Sequence, residues 1–193
     1  MAIFFTADTH FAVFDKDAFT RDYRPFKKVA KMNNTIIKIW NKQASKNDII
    51  YHIGDFISYN QRDKEYKTSL GLVKKIKAKV IMVMGNNEER VLHYEFNDDF
   101  EKFKEFMLGL GFYDVVQGGL EMELGGNKLY LNHYPSKHKS GVENLFGHIH
   151  KSALVKKYGF NVGVDNHYFK LFSEDDILDL IDRRKSFDSD VYD

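Results

Sequence analysis

The 193-residue sequence contains no cysteine. Disulfide bonds, thiolate nucleophiles and zinc sites with cysteine ligands are therefore excluded. It also lacks an excess of charge of one sign, because 29 lysines and arginines nearly balance 28 aspartates and glutamates and leave a formal net charge of +1. Such a chain has no global field that would attract nucleic acid or an anionic membrane, so any attraction for phosphate must be local.

Long hydrophobic runs are absent as well. No apolar stretch approaches the roughly 18 residues that a membrane span requires, and the apolar start reaches a candidate ligand at Asp8 without the basic region of a signal peptide. The sequence therefore predicts a cytoplasmic protein. Its length suits one well-buried core, so we expect a single domain over residues 1–185, followed by a polar, flexible tail at 186–193.

The hydrophobic pattern of the first half predicts alternating strands and helices. Short apolar runs at 3–7, 48–53 and 80–84 are typical of buried strands. Helical spacing predicts a helix that begins at Pro25 and reaches Trp40, and a charged helix over 63–77. This order favours parallel strands with functional groups at their carboxyl ends.

The second half predicts one more helix and then short strands. The helix ends at Gly109 to Gly111, and the strands are expected at 113–117, 120–124, 128–132, 145–146, 153–155, 160–164 and 168–171. A Gly125-Gly126-Asn127 turn indicates a hairpin, and a capped helix should follow Ser173. The predicted fold class is α/β (α+β), with two packed sheets flanked by helices.

Polar side chains follow several of these strands. The candidate metal ligands are Asp8, His10, Asp55, Asn86, His133, His148 and His150. Taken singly, an aspartate after a strand is more often a turn former, and a lone histidine is more often a core or surface group. As a set they indicate a metal site, and on extended backbone the i, i+2 spacing in Asp-x-His and His-x-His would send both side chains to one side. Nitrogen and oxygen ligands without thiolate suit Mn²⁺, Fe, Zn²⁺, Ni²⁺ or Co²⁺.

The order of these motifs resembles the calcineurin-like metallophosphoesterase family. The family pattern of Asp-x-His, Gly-Asp, Gly-Asn, an isolated His and Gly-His-x-His is matched in order, by Asp8/His10, Asp55, Asn86, His133 and His148/His150. The stretches 24–41, 51–56 and 161–165 are similar to a small single-domain bacterial and phage branch. The resemblance covers nearly the whole chain and implies the family's fold of two mixed sheets in a sandwich.

The resemblance also implies a dinuclear centre and its chemistry. One divalent transition metal ion, with Mn²⁺ favoured, would be held by Asp8, His10 and His150, and the other by Asn86, His133 and His148, with Asp55 bridging both. A hydroxide that bridges the ions would then attack a phosphate ester in line. The implied activity is that of a metal-dependent phosphoric ester hydrolase.

The sequence departs from the family at Asn87. There the family commonly places a histidine that contacts the phosphate and protonates the leaving group, and an amide does not donate a proton at neutral pH. The departure favours a phosphodiesterase that acts on a small or nucleotide-like diester. The alternatives are a phosphomonoesterase or protein phosphatase, a nuclease, and a non-catalytic protein-binding scaffold. His93 and His138 are candidates for the missing acid, although such histidines are more often solvent-exposed.

The remaining candidates concern the substrate, for which a small-molecule phosphoester is expected. Asn87 and Arg90 are candidate phosphate-binding residues. Two interpretations of Arg24 stay open: it binds substrate phosphate, or it pins the long first loop. Phe11, Phe14 and Tyr134 are the aromatic residues expected to line a pocket. The sequence does not define the oligomeric state.

Overall fold

Two five-stranded mixed sheets form the framework of the part of the protein that the structure describes. The computed structural model describes residues 1–13, 24–62 and 65–185. The candidate pocket residue Phe14, the first two residues of the predicted second helix and the predicted tail at 186–193 lie outside the described residues.

The first sheet carries four parallel strands and one antiparallel edge strand. Its strands are β1 (Ile3–Thr6), β2 (Ile49–Ile53), β3 (Lys79–Val83), β4 (Asp114–Val116) and β10 (Phe172–Ser173), in the order β10-β1-β2-β3-β4. Both faces of the sheet are covered, which explains why these strands are continuous apolar runs. In β1, Phe4 packs among the helices, and Phe5 packs toward the second sheet.

The second sheet contains β5 (Gly119–Leu124), β6 (Asn127–Asn132), β7 (Glu143–Phe146), β8 (Val155–Lys156) and β9 (Gly159–Asn161). Their order is β5-β6-β7-β9-β8. The strands β5 and β6 form the predicted antiparallel hairpin, whereas β6, β7 and β9 run parallel. Leu131, Leu145 and Phe160 of this sheet pack against Phe5 and Ile53 of the first, so the two sheets share one core. The predicted fold class is confirmed.

Five α-helices flank the sheets in the described residues: α1 (Val29–Gln43), α2 (Tyr66–Leu70), α3 (Asn86–Phe96), α4 (Phe100–Leu110) and α5 (Glu174–Lys185). The buried Trp40 of α1 packs near His52 of β2 and donates its indole N–H to the Phe169 carbonyl. Ile177 and Ile181 of α5 extend the core between the sheets. No helix among the described residues is long and apolar enough to cross a membrane.

Three predicted elements differ from the structure, and one helix was not predicted. The first long helix begins at Val29, not at Pro25, because residues 24–28 form a turn in which the Phe26 N–H donates to the Arg24 carbonyl at 2.8 Å. The charged helix expected at 63–77 is divided into the short α2 and a 3₁₀ helix at Gly71–Lys75. The helix α3 was not predicted. The strand expected at 168–171 is absent, because Tyr168 and Phe169 have left-handed backbone angles, with φ of 52° and 64°.

Candidate metal centre

All the candidate ligands lie where strands end. Asp8 and His10 follow β1, Asp55 follows β2, and Asn86 begins α3 just after β3. From the second sheet, His133 follows β6, and His148 and His150 follow β7. Because the sheets face each other and these strands point the same way, the two sets of side chains meet at one rim of the sandwich.

The backbone of the two dyads is not extended, which corrects the expected geometry. Asp8, His10, His148 and His150 have φ angles of 59°, 50°, 72° and 48°, all in the left-handed region. Such conformations cost about 1–3 kcal/mol each and persist only where the surroundings enforce them. Here the Asp8 N–H donates to the Gly54 carbonyl and the His10 N–H to the Asp55 carbonyl, both at 3.0 Å.

Two overlapping groups of ligand atoms result. Asp8, His10 and His150 offer atoms that all lie within 4.8 Å of one another, and Asp8, Asp55 and His133 do the same. The two groups therefore share the Asp8 carboxylate. Asp8 is fully buried, and its carboxylate accepts the backbone N–H of His148 at 3.0 Å.

Asp55 lies between the two groups. Its Oδ2 is 3.5 Å from Nε2 of His10, and its Oδ1 is 3.6 Å from Nε2 of His133. On the far side, Oδ1 of Asn86 lies 3.1 Å from Nε2 of His133 and 3.0 Å from Nδ1 of His148. The structure thus gathers every candidate ligand into one cluster, with a carboxylate at its middle.

Three features show that these residues fit divalent metal ions. First, Nε2 of His10 is buried and has no hydrogen-bond partner, although a buried polar atom normally has one. Second, glycines leave room beside the carboxylates: a Cβ on Gly85 would lie 2.7 Å from Oδ1 of Asp55, and one on Gly147 would lie 2.8 Å from Oδ2 of Asp8. Third, the donors are imidazole nitrogens with carboxylate and amide oxygens, a set that suits divalent transition metals.

Burial controls the protonation of the cluster. Desolvation raises the pKa of Asp8 to about 6 and lowers that of His10 to about 3, so His10 is neutral, the form that binds metal. Burial also opposes the ionisation of Asp55. The attraction to the facing His10 and His133, together with hydrogen bonds from Asn87, is stronger than this effect of burial and holds the pKa of Asp55 below its usual value.

Glu88 secures the loops that carry Asp55 and Asn86. Its fully buried carboxylate accepts the backbone N–H groups of Gly85 at 3.0 Å, Asp55 at 2.8 Å and Phe56 at 3.0 Å. Burial raises the pKa of Glu88 to about 7. A carboxylate in this position fixes the ends of β2 and β3 relative to each other, although it does not contact the cavity.

A cavity of about 550 Å³ opens over the cluster. It is lined by His10, Asp55, Ser58, Tyr59, Asn60, Asn86, Asn87, Arg90, His148 and His150. The loop residues Ser58, Tyr59 and Asn60 were missed by sequence reasoning, and only their position soon after the Gly-Asp motif could have indicated them. Arg90 is exposed at the cavity wall, where it can meet an anion.

Asn87 lies in the wall of this cavity and is largely buried. Its side-chain oxygen accepts the Tyr59 N–H at 2.9 Å, and its backbone N–H donates to Oδ1 of Asp55 at 2.9 Å. The Asn87 side chain also hydrogen-bonds to Asp55. The residue therefore holds the central carboxylate in place.

Arg24 does not reach the cavity. Its Nε and Nη2 donate to Oδ1 and Oδ2 of Asp165 at 2.8 and 2.9 Å, and the side chain is fully buried. Its Nη1 and Nη2 also donate to the carbonyls of Thr9 and Asp8. This contradicts the interpretation of Arg24 as a phosphate-binding residue and favours the alternative, because the contacts tie the two ends of the first loop together.

The two expected aromatic pocket residues that the structure describes also lie elsewhere. Phe11 is completely buried in the core, where it packs against Trp40 and Phe56. Tyr134 packs edge-on against His133 and donates its hydroxyl to Glu89 at 2.5 Å, without lining the cavity.

Fold and site together define a class: an α/β sandwich with a candidate metal centre at the carboxyl ends of strands from both sheets. The sequence pattern of the calcineurin-like phosphoesterases matches residues 1–181. The chain belongs to the calcineurin-like phosphoesterase family. Membership makes it a metal-dependent phosphoesterase, a hydrolase that works with divalent metal ions.

Individual proteins are also similar to this chain in sequence or in fold. An uncharacterized protein of Methanocaldococcus jannaschii is 28% identical in an alignment that covers 95% of this chain and 93% of the relative. A protein of unknown function from Aquifex aeolicus has a similar solved structure, with a TM-score of 0.65 and 23% identity over 93% of this chain and 98% of that chain. An archaeal phosphodiesterase aligns more loosely, with a TM-score of 0.49 and 18% identity over 84% and 82% of the two chains.

Proposed function

We propose that the protein is a dinuclear metal-dependent phosphodiesterase that hydrolyses small or nucleotide-like phosphodiesters. The observation that carries this proposal is Asn87, which stands in the cavity wall where the family commonly has a proton-donating histidine. Its amide holds Asp55 and has no proton to give at neutral pH.

Apart from the histidines assigned as metal ligands, no other described side chain in the cavity replaces the missing acid. Tyr59 donates its hydroxyl to Glu95 at 2.8 Å, and burial raises the pKa of Tyr59 far above neutrality. Arg90 does not lose its proton in proteins. His93 and His138, the candidates from the sequence, lie outside the cavity, where His93 pairs with Asp98 and His138 stacks on Tyr158.

A site without a proton donor favours esters whose leaving group departs easily. Aryl diesters release a stabilised phenolate, and cyclic diesters release ring strain when the P–O bond breaks. Alkyl monoesters such as phosphoserine need protonation of a basic alkoxide, which general acids accelerate by about 10²–10⁴. The cavity therefore suits aryl and cyclic diesters better than phosphoserine.

The protein's own residues have distinct parts in this proposal. Bound divalent metal ions would supply the charge that acidifies the attacking water and neutralises the phosphoryl oxygens. Asp8, His10, His150, Asn86, His133 and His148 would hold the ions, with Asp55 between them. The ionised Asp55 keeps its position because Asn87 donates to it. Arg90 would bind a phosphate oxygen and orient the ester for in-line attack.

A substrate screen tests the proposal. Protein reconstituted with Mn²⁺ would be assayed against phosphomonoesters, linear diesters and cyclic nucleotides, with Asp55→Asn as the inactive control. We expect turnover of bis(p-nitrophenyl) phosphate and of at least one natural class of diester. Cleavage of phosphoserine peptides at rates comparable to bis(p-nitrophenyl) phosphate would contradict the proposal and favour a monoesterase.

A further inference from the structure

Behind the cavity, a buried network joins Arg24 to residues of the metal cluster. The guanidinium of Arg24 donates to both carboxylate oxygens of Asp165, at 2.8 and 2.9 Å. The same group donates to the backbone carbonyls of Asp8 at 2.6 Å and Thr9 at 2.8 Å. One side chain thus holds the loop of a candidate ligand, Asp8, and positions the Asp165 carboxylate.

Asp165 in turn orients a second candidate ligand, His150. Its Oδ2 lies 3.1 Å from Nδ1 of His150. Since both oxygens of Asp165 are acceptors, Nδ1 of His150 carries the proton, and Nε2 is the nitrogen that would ligate a metal ion. The backbone of His150 is held as well, because its carbonyl accepts the side-chain amides of Asn161 at 2.7 Å and Asn166 at 2.8 Å.

The other candidate histidine ligands are oriented differently. Nδ1 of His133 lies 2.9 Å from the backbone carbonyl of Ile53, and Nδ1 of His10 lies 3.4 Å from the hydroxyl of Ser58. His148 places Nδ1 beside another candidate ligand, Asn86. Among the described candidate ligands, His150 alone places Nδ1 against a carboxylate that is itself fixed by an arginine. A carboxylate partner raises the basicity of a ligating histidine and fixes its ring.

The network is poorly explained as a device for stability alone. A buried arginine–aspartate pair loses hydration when the chain folds, and this cost offsets much of the attraction between its charges. The contacts of Arg24 and Asp165 instead converge on Asp8 and His150, which lie in the same ligand group.

We propose that Arg24 and Asp165 are positioning residues that preorganise the metal position formed by Asp8, His10 and His150. This position therefore binds its ion more tightly and fills before the position formed by Asn86, His133 and His148. The inference rests on the dinuclear centre of the proposed function and adds an order of loading to it.

Two substitutions perturb the network in different ways. Asp165→Asn keeps the shape but turns one oxygen into an NH₂ group. Because Arg24 donates to both oxygens, that NH₂ faces Arg24 as donor against donor in either orientation, and in one of the two it also faces Nδ1 of His150. Arg24→Lys keeps the charge but loses the planar fork, so it cannot hold both oxygens and both carbonyls at once.

The chain offers a matched control in the Glu143–Arg184 pair. This pair is also a largely buried carboxylate–arginine contact, with side chains 13% and 17% exposed. It joins β7 to α5 at the start of the strand, whereas His148 and His150 follow the strand's other end. Glu143→Gln therefore removes an ion pair without disturbing a candidate ligand.

The test is a calorimetric titration of chelator-stripped protein with Mn²⁺, accompanied by circular dichroism of each apoprotein. We expect two binding steps for the unmodified protein. Asp165→Asn should weaken the tighter step by about 10–100-fold and leave the weaker step unchanged. Arg24→Lys should weaken the same step by a smaller factor, and Glu143→Gln should change neither.

Several results would overturn the inference. These are an unchanged tight step in both network variants, equal weakening of both steps in folded apoprotein, or the same loss in Glu143→Gln. Unmodified protein that binds no Mn²⁺ would overturn this inference and the proposed function together. Two binding steps that respond to Asp165→Asn, in a protein that cleaves no phosphodiester, would support the inference while contradicting the proposed function.

Discussion

Gly85→Ala tests whether the close packing around Asp55 shapes the site. Gly85 has a φ of −106°, which any residue adopts, so alanine at this position adds only a methyl group and no backbone strain. That methyl would lie 2.6 Å from the Asp55 nitrogen, 2.7 Å from Asp55 Oδ1 and 2.9 Å from the Gly54 Cα. To reach ordinary contact distances, these atoms must move apart by about 0.5–0.8 Å.

Such a shift has a predictable cost. Overpacking of this size destabilises a protein by about 1–3 kcal/mol. A misplacement approaching 1 Å at a reacting group lowers kcat/KM by about 100-fold. Because Asp55 lies between the two ligand groups, Mn²⁺ affinity should fall as well. The assays are thermal unfolding of the apoprotein, Mn²⁺ titration and hydrolysis of bis(p-nitrophenyl) phosphate.

Gly109→Ala is the matched control. A Cβ on Gly109 meets nothing within 4 Å, and the residue lies inside α4. This change should stabilise the helix by up to about 1 kcal/mol and leave activity unaltered. If Gly85→Ala kept the activity and metal affinity of the unmodified protein, the argument that glycine is needed to admit Asp55 would be refuted.

Three further predictions follow from single residues. Asn87→His should raise kcat/KM for phosphoserine peptides at least about 10-fold relative to bis(p-nitrophenyl) phosphate, since it restores a general acid; an unchanged ratio would remove the basis for diester preference. Arg90→Ala should raise KM about 10–100-fold through loss of a charged hydrogen bond, with Arg90→Lys intermediate, and a KM within twofold of the original would exclude a contact with substrate. Burial lowers the pKa of His52 from 6.5 to about 3, so protonation of His52 favours the unfolded chain. The stability that neutral His52 contributes is fully present above pH 6.5 and is lost as the pH falls towards 3. Urea unfolding at pH 7 and at pH 4.5 measures this. Between these two pH values the free energy of unfolding of His52→Gln should fall by about 2–3 kcal/mol less than that of the unmodified protein, and an equal fall in both proteins would contradict this assignment.

The elements that could be predicted from the sequence are those whose burial in the fold produces a clear hydrophobic pattern along the chain. The strands β1, β2 and β3 are buried on both faces, so their apolar runs stand out, and the ligands that follow them were located by position. The helix α3 was missed because its first turn buries Asn87 and Glu88 toward the site instead of presenting an apolar stripe. Polar residues that serve the site occupy positions of α3 where a helix usually buries apolar residues.

Other features depend on contacts that no local pattern records. The spacing of Asp8 with His10 indicated that both serve one site, but left-handed backbone angles, held by hydrogen bonds to the loop after β2, bring them together. Arg24 and Asp165 are 141 positions apart, and neither carries a local signal of the other. The role of Arg24 was therefore open in the sequence, and the structure decides it through burial and bidentate geometry.

The most direct test of the central claim is the dependence of phosphodiester hydrolysis on metal. Protein stripped with a chelator would be assayed against bis(p-nitrophenyl) phosphate while Mn²⁺ is added in known equivalents, with Asp55→Asn alongside. The account predicts no turnover without metal, activity that rises until two equivalents are bound, and an inactive Asp55→Asn variant. Full activity in the stripped protein, or none after addition of any divalent transition metal, would contradict it.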